Sequence, residues 1–224
     1  MPFYSQAGCH RHAKAMEIRR IHAFDFDGTL TKRDTFLEFI YYANGMKATL
    51  LGLLRLMPQL CLMKAGMAQR DKVKQNVFAR FFKGMDADAF NTLCKRFAAD
   101  KRRLLRRGGM DKIGKLLAEG HSVLIVTASI THWVRPFFEG YENENLTIIG
   151  TEAAIEDGRL TGAFSTANCR GAEKVRRIEE LFPAHNAYFL TAYGDSKGDN
   201  ELLDFSDEGY YKPFRHSVSE WKKL

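Results

Sequence analysis

The sequence predicts an α/β protein: a doubly wound parallel sheet with a helical insertion after its first strand. Three observations predict it. Short apolar runs (Ile21 to Phe26, Ser122 to Val126, Ala187 to Ala192) alternate with amphipathic helical stretches, the pattern of strand–helix–strand units. The stretch from Asp34 to about Arg107 reads as helical throughout and is too long for a loop. Asp25 and Asp27, Thr127, and Asp195 each fall at or just after the end of a strand run. In an open α/β sheet all of these ends converge on the ligand-binding edge.

Taken in order, Ile21 to Phe26 (IHAFDF) is an apolar strand closed by polar residues and Gly28. The helical stretch follows, with Pro58 breaking the apolar segment Ala48 to Met67 into two helices. Met110 to Glu119 is an amphipathic helix ended by Gly120, and Ser122 to Val126 (SVLIV) has the composition of a fully buried strand. Thr131 to Phe138 begins another helix, and Thr147 to Ile149 is a short strand. Ala153 to Ile155 and Arg159 to Ala163 flank Glu156-Asp157-Gly158, a hairpin signal with Asp-Gly at the turn. Glu173 to Phe182 is a helix, Ala187 to Ala192 a strand and Asn200 to Phe205 a helix start. Tyr210 and Tyr211 belong to a last strand. The chain divides into a leader (1–20), expected to be disordered, a core (21–33 and 108–224) and a helical cap (34–107).

The 224 residues are 45% hydrophobic and 27% charged, enough apolar mass for a buried core. The net charge of +7 favours anionic partners: phosphorylated small molecules, nucleic acid or acidic lipid surfaces. Nucleic acid is not expected, because neither a known module nor interleaved aromatics accompany the basic stretches. Cys9, Cys61, Cys94 and Cys169 form no CxxC pair, and the first twenty residues contain no apolar signal-peptide region. The expectation is a cytoplasmic protein with reduced thiols. Cys9, His10 and His12 lack the second ligand pair of a zinc site. A start at Met16 would place the initiator just before the first strand.

Asp25 and Asp27 flank a turn that Gly28 permits. One carboxylate can attack phosphorus, while the other, holding a proton, can donate to the leaving oxygen and then activate water. Two negative groups facing a phosphate require a divalent cation, and Asp195 and Asp199 add the hard oxygen ligands that Mg²⁺ prefers. The remaining phosphate charge calls for donors. Candidates are Thr127, the backbone N–H groups of Ala128 and Ser129, and Lys174 in the first turn of its helix. Arg170 competes for the last role; Lys174 is preferred because it begins the helix. A basic binding module without turnover is the remaining alternative, and it has no need of paired carboxylates beside a metal site.

The segments AFDFDGTLT, LIVTAS, GAEKVRRI and YGDSKGDNELL, in that order, resemble the four motifs of the haloacid dehalogenase (HAD) superfamily. They are most similar to its phosphoserine-phosphatase-like branch, subfamily IB. The resemblance implies a HAD-like Rossmannoid core with a helical C1 cap. It also implies Mg²⁺-dependent phosphomonoester hydrolysis through a phospho-aspartate. Asp25 would be nucleophile and metal ligand, and Asp27 an acid/base that also gives its backbone carbonyl to Mg²⁺. Gly28 and Thr127 would lie at the phosphate, Lys174 would neutralise charge, Asp195 would ligate the metal and Asp199 would support it. An aspartate two residues after the nucleophile separates the phosphatases of this superfamily from its dehalogenases.

The resemblance places substrate choice in the cap. Asp34 stands where phosphoserine phosphatases place a glutamate that meets the substrate amine, so one substrate class is a small, amine-bearing phosphate. The arginine that holds the substrate carboxylate there would fall near Phe78, and Arg70, Lys74 and Arg80 lie close by without matching. Ala48 to Met67 is rich in Leu and Met, but Arg55, Pro58, Gln59 and Lys64 interrupt it, so a membrane span is not expected. Arg70 to Arg107 carries far more Lys and Arg than Asp and Glu. An apolar cap segment followed by a basic one suits peripheral contact with an anionic membrane. The resemblance, which extends to phosphatidylglycerophosphate phosphatases of the subfamily, implies a phospholipid headgroup as the alternative substrate. Apolar cap-helix faces and a solvated basic face are the plain readings of the same two stretches. Phe36, Phe39, Tyr41 and Tyr42 read as core, and His132 and Trp133 as substrate contacts or helix surface. The oligomeric state is left open.

Overall fold

The computed structural model describes residues 18–141, 143–215 and 222–223. The leader up to residue 17, the Cys9, His10 and His12 group and the proposed start at Met16 lie outside the described residues.

The strands are β1 (Arg19–Phe24), β2 (Ser122–Ile130), β3 (Leu146–Thr151), β4 (Ala153–Glu156), β5 (Arg159–Phe164), β6 (Tyr188–Gly194), β7 (Glu208–Tyr211) and β8 (Lys222–Lys223). The helices are α1 (Thr35–Arg55), α2 (Met57–Lys64), α3 (Arg70–Phe82), α4 (Ala87–Asp100), α5 (Arg107–Ala118), α6 (Thr131–Val134), α7 (Ala172–Leu181) and α8 (Asn200–Phe205). The main sheet runs β3-β2-β1-β6-β7-β8, with β8 antiparallel on its edge and the other five strands parallel. The expected doubly wound α/β fold is the observed one.

The central strands are predominantly apolar because helices cover both faces, with His22, Ser122 and Thr191 buried among them. Ile21, Ala23, Leu124 and Val126 pack in one layer with Ile178 of α7 and Leu202 and Leu203 of α8. Their neighbours Phe24, Val123 and Ile125 pack in the other with Met110, Ile113 and Leu116 of α5. This is period-two alternation with no polar side. Register then fixes the business edge. Phe24 pairs with both Ile125 and Tyr193, so Asp25 leaves β1 level with the residues just before Thr127 and Asp195.

Helices α1 to α4 lie between β1 and α5 in the chain. Their buried rings Phe39, Phe78, Phe82, Phe90 and Phe97 continue into Trp133 and Phe137 of the sheet domain, with Phe39 stacked 4.7 Å from Trp133. The cap and the sheet domain thus share one apolar cluster. The helical stretch is also less continuous than its periodicity suggests. Gly45 breaks α1 with φ +74°, and the turn between α1 and α2 falls at Leu56, leaving Pro58 in the first turn of α2. The β4–β5 turn has Asp157 at φ 48° and Gly158 at φ 72°, as an Asp-Gly hairpin requires. β2 runs four residues past the expected Val126, because Thr127 and Ile130 still pair irregularly with β3. Beyond it, Pro136 ends α6 after one turn and the chain continues as a 3₁₀ turn.

Candidate active site

Asp25 follows β1 directly and is buried, at 6% exposure. Its Oδ1 accepts from Lys174 Nζ at 2.6 Å. The same ammonium reaches Asp199 Oδ1 at 2.6 Å, so one buried cation in the first turn of α7 clasps two carboxylates from different strands' ends. Burial and the nearby Asp199 charge push the Asp25 carboxyl well above its ordinary range, against the pull of Lys174. Burial alone would strip the charge from Lys174; Asp25 and Asp199 outweigh it and raise its pKa. Burial likewise opposes the Asp199 charge. Lys174 and hydrogen bonds from Ser196 overcome it and hold Asp199 low.

Asp27 is treated differently. Its Oδ1 accepts from Thr35 N (2.7 Å) and Thr35 Oγ1 (2.6 Å), and its Oδ2 from Ser129 Oγ (2.5 Å). Burial and Asp34 raise it to about 6 despite those donors. Thr35 is itself fixed by Trp133 Nε1 at 3.2 Å, so an indole in the shared aromatic cluster steadies the carboxylate indirectly.

Gly28 sits between these carboxylates and Asp195 with φ +80°. A β carbon there would lie 2.4 Å from Asp195 Oδ2, so both the backbone and the contact call for glycine. Asp195 follows β6, and its Oδ2 accepts from Arg215 at 2.5 Å. Asp199 Oδ2 accepts from the N–H groups of Asp195 (3.2 Å) and Ser196 (3.0 Å) and from Ser196 Oγ (2.9 Å), which folds the loop back on itself. Oxygens of Asp25, Asp195 and Asp199 lie within 4.8 Å of one another. Three hard carboxylate ligands at that spacing fit a Mg²⁺ ion that keeps some of its waters.

Thr127 is wholly buried and is not among the residues lining the cleft; its Oγ1 accepts from Ser129 N at 3.0 Å. The Ser129 N–H is therefore directed at Thr127, while its hydroxyl serves Asp27. The Ala128 carbonyl accepts from Thr151 Oγ1 (2.7 Å) and from Lys74 Nζ. Asp34 lines the cleft, but its Oδ1 caps α1 by accepting from Phe36 N (2.8 Å) and Leu37 N (3.3 Å). Arg170 is exposed at the cleft rim against Gly198, whereas Lys174 reaches the centre.

The cleft holds about 740 Å³ and brings together Asp25, Asp27, Gly28, Asp34, Ala128, Ser129, Lys174, Asp195 and Asp199. The cap lines it with Phe36, Leu37, Leu53, Leu60, Met63, Val73 and Val77, together with the charged Asp34, Arg70, Asp71 and Lys74. His132 faces a different groove, of about 920 Å³, near Glu152. Trp133 is wholly buried.

Two contributors, Thr35 and Arg215, escape a reading of the sequence, and a third, Lys74, stands there only as an unmatched neighbour of the missing arginine. Lys74 of α3 crosses to the Ala128 carbonyl and to Asn168 Oδ1 (2.6 Å), and Asn168 in turn donates to Asp71 at 2.7 Å. Burial pulls Lys74 down to about 8. One of two lysines on a basic helix carries no mark of pointing inward. Thr35 and Arg215 are likewise set only by tertiary contact, although Thr35 directly follows the cap residue Asp34.

A sheet edge with paired aspartates, a buried lysine and an acidic loop under a helical cap defines a haloacid dehalogenase-like hydrolase, and the chain belongs to that family, which it matches over residues 22–204. Protein CicA of Caulobacter vibrioides is 37% identical over 195 residues, covering 86% of each chain. Among solved structures, a Bordetella pertussis Tohama I protein of unknown function has a TM-score of 0.71 at 20% identity, over 86% of this chain and 89% of its own. A substrate-bound phosphoserine phosphatase has a TM-score of 0.63 at 16% identity, over 87% of this chain and 86% of its own. At these identities the solved structures bear on the fold alone.

Proposed function

We propose that the protein is a Mg²⁺-dependent phosphomonoester hydrolase that works through a phospho-aspartate on Asp25. The observation that carries this reading is the division of labour between two carboxylates two residues apart. Asp25 is clasped by Lys174 in the metal-binding group, and Asp27 is held apart by Thr35 and Ser129 at about 6.

The Asp25 oxygen not bonded to Lys174 forms a bond to phosphorus as the bond from phosphorus to the leaving alcohol oxygen breaks. Protonated Asp27 gives its proton to that oxygen. Ionised Asp27 then takes a proton from water as the water oxygen attacks phosphorus, which releases inorganic phosphate and restores the Asp25 carboxylate. Lys174 stays charged throughout and offsets Asp25 and the phosphate oxygens. Ala128 and Ser129 line the cleft beside the phosphate, and Thr127 holds their loop in place through Ser129 N. Asp25, Asp195 and Asp199, with the backbone carbonyl of Asp27, would hold Mg²⁺. When bound, it supplies the positive charge that lets a phosphate dianion approach these carboxylates.

A small amine-bearing phosphate would look to Asp34, whose Oδ1 is committed to capping α1. The second reading, a phosphorylated lipid headgroup such as phosphatidylglycerophosphate, is favoured by the apolar cleft wall of Leu53, Leu60 and Met63. Phosphate release decides between them, measured with Mg²⁺ and with EDTA on phosphoserine, phosphoethanolamine, sugar phosphates and phosphatidylglycerophosphate in micelles. Metal-dependent preference for the lipid supports the second reading, and preference for phosphoethanolamine restores the first. No metal-dependent release from any of them overturns both.

A further inference from the structure

From Phe39 to Arg70 the chain contains no acidic residue, while Lys47, Arg55, Lys64 and Arg70 are spread along it. The part of α1 beyond Gly45 and the whole of α2 fold this stretch into a helical hairpin bent by 64°. One side of the hairpin is seated on α3. Gly52 lies so close to the Phe81 ring that a β carbon would come within 2.4 Å, and Gln59 Oε1 accepts from Asn76 Nδ2 at 2.8 Å. At 100° per residue, Met46, Leu50, Leu51 and Leu54 fall on the side of α1 opposite Thr49 and Gly52. They are exposed by 53–76%, and Met57 and Leu62 of α2 by 47% and 44%. None of the eight described residues of α2 is buried.

A helix face in water has no reason to present Leu and Met in a row. Lys47 and Arg55 share that face by the same angular count, so the surface is apolar and cationic together, with no carboxylate to offset it. That mixture matches an anionic lipid leaflet, whose acyl region takes the Leu and Met side chains and whose phosphates take the Lys and Arg. Among the described residues no single helix is long and apolar enough to cross a membrane, and the bend lets the two helices lie along a surface. The inner side of the same hairpin supplies Leu53, Leu60 and Met63 to the cleft wall, so the face and the cleft mouth are continuous.

We propose that the α1–α2 hairpin is a docking surface for an anionic lipid bilayer, which brings the cleft to the headgroup layer. That consequence rests on the phosphatase reading; the docking itself does not. The test is co-sedimentation of the full chain with vesicles of phosphatidylcholine alone and of phosphatidylcholine mixed with phosphatidylglycerol. Two variants are run beside it, Leu50→Gln/Leu51→Gln/Leu54→Gln and Lys47→Gln/Arg55→Gln/Lys64→Gln, all at exposed positions outside the cleft. The expected result is binding only to the anionic vesicles, weakened by at least about tenfold in each variant. Turnover of soluble p-nitrophenyl phosphate should be unchanged in both. Absence of binding, or equal binding to both vesicle types, overturns the proposal. So does light scattering that shows a dimer which the leucine variant dissociates while vesicle binding persists, since the face would then belong to a second copy. Vesicle binding without p-nitrophenyl phosphate turnover in the parent protein would support the docking surface and count against the phosphatase reading alone.

Discussion

Replacing Gly28 with alanine measures how tightly the turn after β1 is fitted to Asp195. The backbone holds φ +80°, a conformation that costs an L-residue with a β carbon about 1–2 kcal/mol. The added atom would lie 2.4 Å from Asp195 Oδ2, whereas ordinary contact begins near 3.4 Å. The carboxylate must therefore retreat by about 1 Å (3.4 less 2.4), away from Asp25 and Asp199, or the turn must lift. Strain of about 1–2 kcal/mol is smaller than the roughly 5–15 kcal/mol of a typical domain, so the variant folds, with a melting temperature lower by about 2–8 °C. A misplacement of about 1 Å in a group that positions the reaction costs on the order of a hundredfold in rate. The assay is kcat/KM for p-nitrophenyl phosphate over a Mg²⁺ titration, beside a thermal melt. Expected are a loss of about a hundredfold and a higher half-saturating Mg²⁺ concentration in a folded protein. Unchanged kcat/KM and unchanged Mg²⁺ response would refute the role given to this contact.

Lys174→Met leaves Asp25 and Asp199 buried without their shared cation, so metal-free stability should fall by roughly 3–5 kcal/mol and turnover should vanish. Added Mg²⁺ should recover part of the melting temperature, and a melt identical to the parent's in EDTA would contradict the clasp. His22 is buried beside His121, and burial above all lowers it to about 4 from its ordinary 6.5. The unfolded chain thus binds more protons between those values, so this contribution is complete above pH 6.5 and is lost as pH falls towards 4. It amounts to at most ~3 kcal/mol. Urea midpoints at pH 7 and 4.5 should differ more for the parent than for His22→Gln; equal differences would remove His22 as the cause. Asp34→Ala should cost about 1 kcal/mol through the lost helix cap, with Asp34→Ser restoring it. Restored stability with a selective loss of phosphoethanolamine turnover would instead give Asp34 a substrate amine.

The sheet was legible because its central strands are buried on both faces, which makes runs such as IHAF and SVLIV almost wholly apolar, with His22 and Ser122 the polar exceptions. Asp25, Asp27 and Asp195 were legible for a related reason: each lies just after a strand end, and parallel pairing brings those ends together, while Lys174 was legible from its place in the first turn of a helix. Asp157-Gly158 was legible because few dipeptides accept positive φ twice. The break at Gly45 was not, since a glycine within a helical pattern costs only about 1 kcal/mol and gives no direction. Lys74 was hidden for want of contrast, being one cation in a basic stretch and distinguished only by reaching Ala128 and Asn168. The hairpin's apolar run was visible, but Leu and Met on nearly every side of α1 carry little periodicity. Which of them are exposed follows only from the seating of Gly52 on Phe81.

The most direct measurement is acid-quenched turnover of p-nitrophenyl phosphate with Mg²⁺, followed by mass spectrometry of the tryptic peptide Ile21–Lys32, which contains both Asp25 and Asp27. The mechanism predicts that a fraction of this peptide gains the mass of one phosphoryl group on Asp25, and that EDTA or Asp25→Asn abolishes the gain. Steady phosphate release with no modified peptide, or with the phosphoryl group on another residue, would contradict it.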